Sequence, residues 1–153
     1  VGVTSDAELL DVWLSRPLLL GHLSGGLERQ SPPGLKLGGV EPVPPRAPSL
    51  PSLVRAAEYR VEGEGNGVAD AAAALLAAES FPWEHRRERE VRRYDLRPLV
   101  EDLRVQPASG GGWVLEMRLR AGPAGTGRPD QVALSVGLRP RRLHRTRILL
   151  GVP

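Results

Sequence analysis

The sequence contains no cysteine. Disulfides, zinc ribbons and thiolate-held iron–sulfur clusters are therefore excluded within its 153 residues. Aromatic residues are scarce at 4%, so aliphatic side chains must supply most of the core. Lysine is nearly absent too: Lys36 stands alone, and every other basic residue besides the histidines is arginine. No apolar run approaches the roughly 18 residues of a membrane span. No signal-peptide pattern opens the chain, and a cytoplasmic location without membrane contact is expected. His22, His85 and His144 lie in three different expected elements without HxH or HExxH spacing, so no metal site is expected. There is no GxSxG elbow, and GPAGTGRPD lacks the G-K-[ST] ending of a phosphate loop. No cofactor is expected.

What is abundant is glycine (18) and proline (15), together about a fifth of the chain against a usual share of roughly an eighth. Generous connections follow. ELLDVWL at 8–14 can form a strand, LLLGHLSGGLERQ a helix stopped by SPPG, and LKLGGVEPV a short strand. T-S-D at 4–6 is an ordinary turn or cap sequence. PPRAPSLPSLV is a proline-punctuated connector, which divides the chain into residues 1–45 and residues 46–153. AAEYRVEGEG alternates with period 2 and predicts a half-buried strand. GVADAAAALLAAES predicts a helix. A strand is expected around Arg89–Tyr94 and a short helix from Asp95 through RPLVEDLRV. WVLEMRLR predicts a strand, RPDQVALSVGL a helix, and RLHRTRILLGV a final strand. Helices alternate with amphipathic strands, which suits an α+β layer on a mainly antiparallel, ferredoxin-like sheet.

The formal charge is +3. Arginine is well suited to bidentate phosphate recognition, whereas arginine with abundant alanine, glycine and proline is also the product of a GC-rich genome. Position decides more than number. From Glu84 to Arg104 the two signs interleave and nearly cancel, which reads as a salt-bridged solvated face. Arg92, Arg93, Asp95 and Arg97 are its candidates for docking a partner protein. From Gln131 onward there are five arginines and no acid. Strict alternation along RPRRLHRTRI puts Arg141, Leu143, Arg145 and Arg147 on one face and Arg142, His144, Thr146 and Ile148 on the other. With Arg118 and Arg120 on a neighbouring strand, Arg141, Arg145 and Arg147 would make an RNA-backbone platform. The same pattern also describes a solvated strand, and it lacks the aromatics that stack on bases.

The ordered series VGVTSDAELLDVWL, SPPGLKLGGVEPVPPRAPSLPSLVRAAEYRV, YDLRPLVEDLRV, LRAGPAGTGRPDQV and HRTRI resembles the bacterial radical SAM-linked proteins, a domain of unknown function. The resemblance implies a partner, a cobalamin-binding-type radical SAM protein. It also implies a genomic setting beside an E/G-type ribonuclease and large-subunit ribosomal proteins. Family members carry an earlier part, with a serine–histidine–leucine–aspartate element, that this sequence lacks. The opening on Val1, with Met117 as the one methionine, agrees with a fragment. The expected function is an accessory module that presents RNA or another substrate to the radical SAM partner. A protein–protein adaptor for that partner is the alternative. An activity of its own would need the missing part together with Asp11, Asp95 or His144.

Overall fold

A computed structural model of the chain describes residues 2–6, 8–87, 90–122 and 125–151. Two compact units emerge: Val1–Leu9 with Leu50–Pro153, and Leu10–Ser49.

The first unit is an α+β layer. Its strands are β1 (Val3–Ser5), β2 (Val54–Glu64), β3 (Pro82–Arg87), β4 (Glu90–Asp95), β5 (Val100–Pro107), β6 (Trp113–Arg120) and β7 (Arg139–Leu150). Five of them form one sheet in the order β1-β7-β2-β6-β5, and β3 and β4 form a separate hairpin. Every neighbouring pair in the larger sheet is antiparallel except β1 with β7. With helices over Val68–Ala77 and Pro129–Ser135, the chain path from β2 to β7 is the β-α-β-β-α-β arrangement of a ferredoxin-like unit. The hairpin β3–β4 is inserted after its first helix, and β1 is added at one edge.

Period-2 alternation makes one sheet face apolar. Val61 in β2, Leu115, Met117 and Leu119 in β6, Leu103 in β5 and Leu143 in β7 are all buried in one cluster. The helix Val68–Ala77 lays Val68, Ala72 and Leu75 on that face, the i, i+4, i+7 stripe of an amphipathic helix. The helix Pro129–Ser135 starts on proline, whose missing N–H is one of the unpaired donors there anyway. It adds Val132 and Ala133 to the cluster. Gly137 follows at φ 76°, the left-handed turn that ends a helix and releases β7. Both of these helices pack on the same cluster, so neither covers the opposite, helix-free face of this unit, whose polar side chains are exposed or half-buried.

Three sequence expectations differ from the structure. The segment after Asp95 is a single 3-10 turn, Arg97–Leu99, followed by β5 and not by a helix. Pairing with β6 overrides local propensity, and a bulge between Val100 and Asp102 keeps Leu103 on the core side. T-S-D is no simple turn, because Thr4 and Ser5 belong to β1 and run parallel to His144 and Arg145. ELLDVWL and LKLGGVEPV form no strand; no described strand lies alongside to complete a ladder. The strand expected around Arg89–Tyr94 is β4, with Arg89 itself outside the described residues.

In the second unit a helix spans Leu20–Gln30, and extended chain and turns account for the rest.

Candidate nucleic-acid interface

The helix-free face is built by register. Across β7 and β2 stand the pairs Arg142–Glu62, His144–Arg60 and Arg147–Glu58. Next to them on β6 are Glu116, opposite Arg60, and Arg118, opposite Glu58. Arg120 follows one step further along the same face. β5 contributes Arg104 opposite Glu116 and Asp102 opposite Arg118. Opposite charges across neighbouring strands attract. Arg60 donates to Glu116 at 3.2 Å and to Glu62 at 3.1 Å, and Arg118 donates to Glu58 at 2.7 Å. A shallow hollow of about 230 Å³ lies among these side chains.

Strict alternation does not survive along β7. Arg142 faces Glu62 and Pro140 faces Gly63, so Arg141 is an extra, bulged residue. Arg145 faces Tyr59 and Arg147 faces Glu58, so Thr146 is a second one. Each bulge resets the parity of the strand. Arg142, His144 and Arg147 therefore share the helix-free face, while Leu143, Arg145 and Ile148 sit opposite Val61, Tyr59 and Ala57 on the other. Arg141, Arg145 and Arg147, expected on one face, are separated.

The five arginines assigned to RNA from sequence divide accordingly. Arg118 is held by Glu58, whose hydrogen bond and charge raise its pKa. Arg141 pairs with Glu64 at 2.8 Å. Arg145 is three-quarters covered, and it bonds Glu8 and, at 3.4 Å, the Ser5 hydroxyl. Burial works against its charge, but the Glu8 contact and Tyr59 outweigh that and raise its pKa. Arg120 and Arg147 have no ion pair among the described residues, and the same is true of Arg142. Arg142 was hidden from sequence reasoning because the bulges cannot be read from composition.

His144 joins a short chain that sequence distance concealed. Its Nδ1 lies 2.8 Å from the Thr4 hydroxyl, and its Nε2 lies 2.7 Å from an Asp6 carboxylate oxygen. The Thr4 hydroxyl also lies 3.3 Å from the Leu143 carbonyl, to which it donates. The arrangement ties the edge strand β1 to β7. No group of three histidine or acidic side chains suited to a metal occurs among the described residues, and no described helix is long and apolar enough to cross a membrane.

The residues expected to dock a partner sit in and below the hairpin. Arg93 bonds Glu84 at 2.9 Å across β3 and β4, and Arg92 stands opposite His85. Asp95 accepts from the backbone N–H groups of Phe81 at 2.8 Å and Arg97 at 3.0 Å. Arg97 donates to the carbonyls of Leu76 at 3.2 Å and Val100 at 2.8 Å. Asp95 and Arg97 thus lock the hairpin base, while Arg92 and Arg93 are exposed on its strand. A hollow of about 420 Å³ lies beside them, lined by Pro82, Trp83, Glu84, Arg93 and Asp95 among others.

The backbone bond from Phe81, followed by the Ser80 hydroxyl and Arg97, holds the Asp95 carboxyl below its ordinary value of 3.8. A carboxyl whose pKa is lowered by folding adds stability that is present above the unfolded value and lost as pH falls through the folded one. The Asp95 side-chain resonance is expected to titrate below pH 3.8. Hydrogen exchange at the Phe81 and Arg97 amides should accelerate over the same acidic interval. A midpoint at or above the ordinary value would refute the lock.

Residues 1–129 match the model of a family described as an uncharacterized protein conserved in bacteria, DUF2344. The chain belongs to that family. The matched span of DUF2344 runs from β1 through β6 to the start of the second core helix, and β7 follows it. No curated protein and no solved structure matches the chain.

Proposed function

We propose that this DUF2344 chain is a non-catalytic accessory module that binds RNA along the helix-free face of its sheet and presents it to a radical SAM protein. The observation that carries the reading is the set Arg120, Arg142 and Arg147. These are exposed cations on one face that form no ion pair among the described residues, because Glu58 and Glu62, which stand opposite Arg147 and Arg142, are engaged by Arg118 and Arg60. Arginine presents a rigid fork of donors that fits phosphate oxygens, and most protein contacts to a nucleic-acid backbone are of this kind. The face carries no stacking aromatic at its described positions, so the contact is to backbone and not to bases. The radical SAM partner rests on the family resemblance. A chain without cysteine holds no thiolate-ligated cluster, so radical chemistry would belong to that partner.

Fluorescent tRNA and ribosomal RNA fragments titrated at two salt concentrations test the proposal. Binding should weaken steeply with salt. Replacing Arg120, Arg142 and Arg147 together by alanine should lower the slope of log K against log salt by about 2, at roughly 0.7 per phosphate contact on single strands. Arg118→Ala should do less, because Glu58 already engages that guanidinium. No binding at low salt, or a triple variant that binds like the parent, would refute it.

A further inference from the structure

We propose that β1, with the acids Asp6 and Glu8 that follow it, is an autoinhibitory strap that holds a carboxylate over the basic strand β7 and is displaced by RNA. The inference rests on the RNA reading of the helix-free face and adds its regulation. Strap and strand belong to one compact unit, and every contact used here lies within it.

β1 contributes nothing to the core. It is three residues long, stands at the end of the strand order and pairs with β7 over Leu143–Arg145 alone. None of Val3, Thr4 and Ser5 belongs to the buried cluster. Parallel pairing is the weaker kind per residue, and a strand this short makes few backbone bonds. One of them runs just past its end, from the Asp6 amide to the Arg145 carbonyl at 3.0 Å. The other fastenings are polar side chains. On the helix-free face His144 is held between Thr4 and Asp6. On the opposite face Arg145 is held by Ser5, Glu8 and Tyr59.

The charges give the strap its effect. From Arg139 to Leu150, β7 carries five arginines, one histidine and no acid. Asp6 and Glu8 bring carboxylates to it from far away in sequence. Arg60, opposite His144 on β2, is already engaged by Glu62 and Glu116. Asp6 therefore occupies the His144 Nε2 on the face that also carries Arg142 and Arg147. A phosphate oxygen bound along that face would take the same place. Ion pairs at a sheet edge, outside the core cluster, are weak and screened by salt, so the fastening is reversible. A ligand that needs His144 free has its affinity reduced by the fraction of chains in which the strap is released.

Hydrogen exchange at the position-6 amide reads the strap, and titration with fluorescent tRNA reads the face. Saturating tRNA at low salt should accelerate that exchange in the 153-residue chain. Asp6→Asn with Glu8→Gln removes both carboxylates. It should speed exchange at position 6 and tighten tRNA binding, each by about three- to fivefold, the equilibrium weight of one exposed ion pair. Asp70→Asn with Glu79→Gln removes the same charge elsewhere in the unit. This control should leave exchange at position 6 unchanged and tighten tRNA binding less. The near-ultraviolet signals of Trp83 and Trp113, both in this unit, report that each variant remains folded. Asp6→Asn alone, a milder change, should move both readouts in the same direction. A strap that bound tRNA leaves in place overturns the proposal while the RNA reading stands. So does a double variant that binds tRNA no tighter than the charge-matched control. A parent chain that binds no tRNA refutes the RNA reading. Inorganic polyphosphate then replaces tRNA as the polyanion, and unchanged exchange at position 6 overturns the strap as well.

Discussion

Replacing Gly63 by alanine is expected to cost about 3 kcal/mol of folding stability, the upper part of the range for forcing atoms into a packed interior. A Cβ at this position would lie 2.2 Å from the Arg139 carbonyl oxygen and 3.0 Å from its carbonyl carbon. Both are backbone atoms, so no side chain can rotate away. Gly63 is opposite Pro140, directly beside the bulge at Arg141. Relief would have to come from moving the start of β7 away from β2, the central strand of the five-stranded sheet. Leu138, immediately before that start, is fully buried, so the shift opens the core. Gly110→Ala is the control. Its Cβ would meet nothing within 4 Å, and a change within about 0.5 kcal/mol is expected. Urea unfolding of the two variants measures the difference. A Gly63→Ala chain as stable as the parent would mean that β7 does not pair with β2 in this register.

The same bulge explains why the fold was more legible than the interface. Alternation in AAEYRVEGEG and WVLEMRLR marks two strands that pair with each other in unbroken register, so β2 and β6 read correctly from pattern alone. Proline at the start and glycine after the end frame the helix Pro129–Ser135 in the same local way. The α+β class follows from such elements taken in order. Faces do not, because they depend on counting across an entire strand. One extra residue at Arg141 and another at Thr146 move Arg142 and Arg147 to a common side. No feature of RPRRLHRTRI announces either. Charge pairing was equally non-local. Glu8 reaches Arg145, Asp6 reaches His144 and Glu58 reaches Arg118, which are partnerships that only the folded sheet creates. The residues after Asp95 failed for the opposite reason. Their helical composition was legible, and the β6 edge overrode it.

Leu115→Ala should separate stability from binding in the largest way available to a single truncation. Leu115 is fully buried between Val61 on β2 and Val105 on β5. It belongs to the cluster covered by both helices. Deleting its isobutyl tip is expected to cost about 3 kcal/mol, the sum of lost transfer energy and a cavity that the surrounding leucines and valines fill only in part. Arg147→Ala is the complementary change. Arg147 is exposed on the opposite side of the sheet with no partner among the described residues, so its loss should move stability by no more than about 0.5 kcal/mol. On RNA the order should reverse. Under conditions where both variants are folded, Leu115→Ala should keep the parental salt slope, and Arg147→Ala should lower it by about 0.7. The two faces of one sheet then have separable duties, because Leu115 on β6 faces the core while Arg147 on β7 faces the opposite side. If Leu115→Ala lowers the slope as much as Arg147→Ala does while still folded, the helix-free face is not an independent surface and the RNA assignment fails with it.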